Sequence, residues 1–149
     1  MVSLNQPTES LALLVNKEIS INAPLEVSFA ALLDQLGPHG QTPDGSPLPL
    51  TLEPWPGGRL FRDLGDGNGH FWGHVQVIKR PVLLEIVGPL FMSHPALSHL
   101  QFRLRDNNGQ TQLSVSHRAI GILEPEHLEH TGAGWQAMLD RTRDLAQGG

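Results

Sequence analysis

The sequence predicts an α+β fold: a curved antiparallel β-sheet of about six or seven strands wrapped around a long C-terminal α-helix, with a short helix after the first strand. Three observations point there. Residues 53–86, EPWPGGRLFRDLGDGNGHFWGHVQVIKRPVLLEI, form a meander with a Pro-Gly-Gly opening, a glycine hairpin and a Gly-x-Val strand. Residues 100–119 alternate apolar and polar on both sides of an Asn107-Asn108-Gly109 turn. The last part of the chain carries an apolar stripe at helical spacing.

The elements follow in order. Met1 to Ser10 is polar and is expected to be loosely ordered. Val15, Lys17, Ile19 and Ile21 share one side of a first strand. Pro24 suits the first position of a helix, where its missing N–H costs nothing. Leu25, Phe29, Leu32, Leu33 and Leu36 continue that helix until Gly37-Pro38. Pro38 to Pro47 is a loop and resembles an insertion. Strands are expected over 48–53, 59–64, 70–79 and 82–87, with Gly65-Asp66-Gly67-Asn68-Gly69 as the hairpin between two of them, because Gly and Asn adopt positive φ cheaply. Phe91 to Ser98 is an apolar connection.

In the two strands that follow, Leu100, Phe102 and Leu104 share one face, as do Leu113, Val115, His117 and Ala119. Such alternation belongs to a sheet covered on one side. The cover is a helix whose stripe runs through Leu128, Thr131/Gly132, Trp135, Met138/Leu139, Thr142 and Leu145. Gly132 and Gly134 each cost such a helix about 1 kcal/mol relative to Ala. Their presence is read as close approach of the helix backbone to the sheet.

Composition narrows the function. The 149 residues suit a single domain spanning residues 1–149. Cysteine is absent, so thiol chemistry and disulfides are excluded, which suits a reducing cytoplasm. The N-terminus lacks a basic signal-peptide region, and no apolar run approaches a membrane span. The net charge of −5 and the scattered arginines disfavour nucleic acid as a partner. No Ser-His-Asp order, nucleophile elbow, Walker loop or Rossmann fingerprint occurs.

PGGRLFRD, GHVQVIKRP and LSVSH followed by GWQAML, in this order and spacing, resemble the SRPBCC superfamily of START and pollen-allergen-like helix-grip domains. The nearest branch is similar to the C-terminal domain of the heat-shock chaperone ATPase activator. The likeness spans about residues 15–145 and departs from the group at the longer exit of the first helix, 37–47. The resemblance implies a ligand cavity between sheet and C-terminal helix. It does not imply one function, since members bind lipids, hormones or polyketides and a few catalyse.

Within that frame Phe61, Phe102, His117, Trp135 and Met138 are the expected lining, with Phe91 and Met92 at the mouth. His117 points inward by alternation and reads either as a polar handle in a cavity or as a core histidine satisfied by the final helix. Trp72 points away from the core if Phe71, Val75 and Val77 face it, and then marks a contact with a protein partner or a second copy. A bulge near Gly73 would turn it into the cavity instead. No metal site or cofactor is expected. His70 and His74 would lie about 13 Å apart on a strand, and His127/His130 lack a further ligand.

The leading reading is a non-catalytic domain that binds a small, mostly apolar molecule. One alternative is a protein-interaction module with a filled interior. A second is an enzyme with His117 as acid or base, assisted by Glu85 or Arg118.

Overall fold

The computed structural model describes residues 12–93 and 95–148, apart from the side chains at positions 127 and 128. The segment Met1–Ser10, His94 and the side chains of His127 and Leu128 lie outside the described residues. The chain order is β1 (Ala12–Ile21), α1 (Leu25–Gln35), β2 (Thr51–Leu52), β3 (Arg59–Gly65), β4 (Asn68–Lys79), β5 (Leu83–Gly88), β6 (Ala96–Asn107), β7 (Gln110–Gly121) and α2 (Pro125–Ala146). The seven strands make one sheet in the order β1-β7-β6-β5-β4-β3-β2. Every neighbouring pair is antiparallel. This is the helix-grip α+β fold that the sequence predicts.

Local chemistry explains the turns. Asn108 and Gly109 both take positive φ, 55° and 88°, as a two-residue type I′ hairpin requires. The alternation of β6 and β7 holds without a slip from Ala96↔Gly121 to Asn107↔Gln110. Leu100, Phe102, Leu104, Leu113 and Val115 are therefore all buried on one face. Leu84 and Ile86 of β5 extend this core, and α2 closes it with Trp135, Met138 and Leu139.

One helix boundary differs from expectation. Pro24 is the N-cap of α1, just outside the first helical residue, with extended ψ of 167°. In α2, Pro125 occupies the first turn, so the helix begins a turn before the apolar stripe. α2 runs unbroken through Gly132 and Gly134. A Cβ at Gly132 would rest 3.4 Å from Lys17 Cε and 3.9 Å from Val15 Cγ1, so α2 lies close over β1 without requiring glycine there.

Candidate functional site

A cavity of about 330 Å³ opens beside the core. This is the lower end of the range for small-molecule sites, about 300–1,000 Å³. One face of α2 forms its longest wall, through Thr131, Gly134, Trp135, Met138 and Arg141. The end of α1 adds Gln35 and Leu36, and the loop that follows adds residues 40–43, with Leu48 and Leu50. Trp72 of β4 and Phe91 of the β5–β6 connection face them. The loop resembling an insertion is thus a wall of the cavity. Its shape is held by Leu48 N–H donating to Gly40 O at 2.8 Å and Thr42 N–H donating to Ser46 O at 2.9 Å.

Trp72 reaches this wall because β4 is bulged. Leu60 of β3 pairs with Gly73 and Phe61 with Phe71, so Trp72 is the extra residue. Gly73 and Gly88 then allow β4 and β5 to touch: a Cβ on Gly88 would fall 2.4 Å from Gly73 Cα and from Trp72 O. The displaced partner is Phe71, which lies exposed on the outer surface beside His74, with ring centroids 4.8 Å apart. A second slip between Val75 and Val77 packs Ile78, and not Val77, against the core.

Phe91 follows Leu90, whose φ of 55° is rare for a branched side chain. Leu90 is buried, and its N–H donates to Trp72 O at 2.7 Å. The reversed backbone there turns Phe91 back over the cavity. Its ring sits 5.7 Å from Trp72, 6.4 Å from Trp135 and 6.1 Å from His117, centroid to centroid. At 37% exposure Phe91 stands between the core and solvent.

His117 lies beneath this aromatic group and is wholly buried. Trp135 Nε1–H donates to His117 Nδ1 at 3.0 Å, and His117 Nε2 contacts Ser98 Oγ at 2.9 Å. Indole nitrogen only donates, so Nδ1 must be unprotonated and the neutral ring carries its hydrogen on Nε2. Burial pushes the pKa of His117 from 6.5 down to about 4. With Nδ1 occupied by Trp135 and Nε2 facing Ser98, neither nitrogen is free to move a proton to a substrate. The arrangement fastens α2 to β6 and β7.

The other candidate residues are placed as follows. Phe91, Trp135 and Met138 stand in the cavity wall; Phe61, Met92, Phe102 and His117 do not. Phe102 is fully buried under the Trp135 ring, 6.0 Å between centroids. Met92 packs in a satellite cluster with Leu13, Ala119 and Leu123. Phe61 lies half-buried on β3 with the Arg59 guanidinium 4.6 Å over its ring. Glu85 is paired with Gln101 and His99 on β6, and Arg118 is exposed, so neither approaches His117. Sequence reasoning missed Gln35, Gln41, Leu50, Gly134 and Arg141. The last was within reach, since Trp135, Met138 and Arg141 continue one helical stripe at i+3 spacing.

Among the described residues no group of three or more histidine, cysteine or acidic side chains is placed to hold a metal ion. No described helix is long and apolar enough to cross a membrane.

A sheet gripping a helix, with a sheltered cavity at the helix's side, defines the class: a helix-grip protein with space for a small molecule. Solved structures share this fold. Protein CV1439 from Chromobacterium violaceum superposes with a TM-score of 0.73 at 18% identity, over 90% of this chain and 96% of that one. The di-domain ARO/CYC StfQ from the steffimycin biosynthetic pathway gives 0.63 at 10% identity, over 95% of this chain and 52% of StfQ. Ara h 8.0201 gives 0.62 at 13% identity, over 93% and 99%. No family model matches the sequence, and no curated protein does. At these identities the likeness is one of fold, the fold that the SRPBCC resemblance implies.

Proposed function

We propose that this protein binds a small, mostly apolar molecule in the cavity beside α2 and does so without catalysis. The observation that carries this reading is the cavity itself, about 330 Å³ walled by Leu36, Leu50, Trp72, Phe91, Trp135 and Met138. Apolar burial at about 25 cal/mol per Å² supplies the affinity. His117, committed to Trp135 and Ser98, supplies the rigidity of the wall. The absence of cysteine fits a cytoplasmic site of action.

The test uses a neutral probe, 2-naphthylethanol, titrated into the protein by calorimetry. Even a weak fit, about 0.3 kcal/mol per non-hydrogen atom, gives a dissociation constant near or below about 1 mM. Gly134→Phe directs a ring into the cavity, where a Cβ would meet only Pro43 Cγ at 3.8 Å. Binding by the natural chain and its loss in the folded variant support the reading; equal binding by both opposes it.

A second reading, a protein-interaction module similar to the chaperone-activating branch, has its own support. Leu14, Leu97, Ile120 and Ile122 are all exposed, and Leu97 is paired with Ile120 across β6 and β7. This apolar outer surface, and not Trp72, is where a protein partner or a second copy would sit. Sedimentation of the protein and of Ile120→Glu decides: a dimer abolished by the substitution supports it, and monomers throughout oppose a homodimer.

A further inference from the structure

We infer that the ligand of this cavity is an acid: an apolar, ring-sized body ending in a carboxylate held by Arg141 and Gln35. The inference rests on the ligand-binding reading above and names the chemistry of the ligand's polar end. Arg141 and Gln35 stand in a wall whose surface is largely apolar and whose other polar members are Gln41, Thr42, His130 and Thr131. Both border the loop after α1: Arg141 Nη2–H donates to Gln41 O at 3.3 Å, and Gln35 is the last residue of α1 before that loop.

Both side chains are incompletely satisfied. Gln35 is only 8% exposed, and its buried Oε1 has no hydrogen-bond partner among the described residues. Arg141 Nε is buried and lacks one as well. None of the ion pairs among the described residues includes Arg141, which is partly buried in the wall. Buried polar atoms are almost always paired, and two orphans in one wall single out the part beside that loop.

A carboxylate answers both. It accepts from the guanidinium in a charge-assisted bond, about twice as strong as a neutral one. A half-turn of the Gln35 amide exchanges its oxygen for NH₂, which then donates to the second carboxylate oxygen. A hydroxyl would satisfy the hydrogen bonds but leave the charge of Arg141 without a counterion. The helix sets the length of the ligand. Six residues separate Trp135 from Arg141, about 9 Å along the axis at 1.5 Å per residue. That is room for a fused ring pair against Trp135, Phe91 and Trp72 with an acid at the far end.

Calorimetry with two matched probes, 2-naphthylacetate and 2-naphthylethanol, tests this. The acid is expected to bind the natural chain about ten- to a hundredfold more tightly than the alcohol. Arg141→Met is expected to erase that preference, and Gln35→Leu to narrow it. Arg141→Lys, which keeps the charge and the helix propensity, is expected to retain part of it should the methionine variant fail to fold. Equal or tighter binding of the alcohol by the natural chain overturns the acid and leaves the apolar-ligand reading standing. So does a preference that survives Arg141→Met. Binding of neither probe overturns both.

Discussion

Acidification should destabilise this protein through His117 in particular, by an amount its surroundings set. The unfolded chain presents an ordinary histidine of pKa 6.5, whereas the folded chain holds the ring neutral down to about pH 4. Between those values the unfolded state binds a proton that the folded state refuses. Stability therefore rises with pH across this window and falls as pH is lowered through it. It is fully present above about pH 6.5, and below about pH 4 no further loss comes from this residue. Each pH unit is worth about 1.4 kcal/mol, so the whole window is worth about 3 kcal/mol. That is a large share of a typical stability of about 5–15 kcal/mol.

The assay is urea unfolding at steps from about pH 7.5 to about pH 4, run on the natural chain and on His117→Gln, which retains hydrogen-bonding capacity but does not titrate. The other histidines contribute equally to both proteins and cancel in the difference. The natural chain should lose about 3 kcal/mol more than the variant across the window. Parallel loss by both would show that His117 is not the source, as would an imidazole resonance of His117 titrating near its ordinary value in the folded protein.

Three further outcomes follow from the same geometry. Trp135→Phe removes the donor to His117 Nδ1 and leaves a buried acceptor unpaired, at a cost of about 1–3 kcal/mol in urea unfolding. Phe102→Ala empties the fully buried position under the Trp135 ring and should cost about 3–5 kcal/mol by the same measurement. Gly134→Ala should stabilise by about 1 kcal/mol through helix propensity, since its Cβ meets only Pro43 Cγ at 3.8 Å. Calorimetry would show this as a midpoint raised by about 2–4 °C.

The sheet was legible where one physical signal acted alone. Alternation in β6 and β7 is undisturbed from end to end, and the Asn108-Gly109 turn pins its register. The stripe of α2 likewise identified the face bearing Trp135 and Met138. Alternation failed on β4, where one bulge moved Trp72 inward and Phe71 outward and a second slip brought Ile78 to the core. A bulge answers to contacts with neighbouring strands, here the approach of Gly73 to Gly88, and those are not adjacent in sequence. The cavity was harder to read for the same reason. Gln35, Gln41 and Leu50 join its wall because the chain after α1 folds back through the Leu48–Gly40 hydrogen bond, and no period in residues 38–50 announces that turn. His117 had two readings from sequence because alternation gives direction and not partners. Trp135 Nε1 and Ser98 Oγ supply the partners, one from α2 and one from β6.

The proposed ligand, a small apolar molecule, would sit in the space bounded by α2, the loop after α1 and Trp72. Intermolecular nuclear Overhauser effects between 2-naphthylethanol and methyl-labelled protein report its position. A ligand in this cavity gives cross-peaks from the ring to Met138, Leu36 and Leu50. Cross-peaks confined to Leu14, Leu97 and Ile120, on the outer face of the sheet, would contradict this placement.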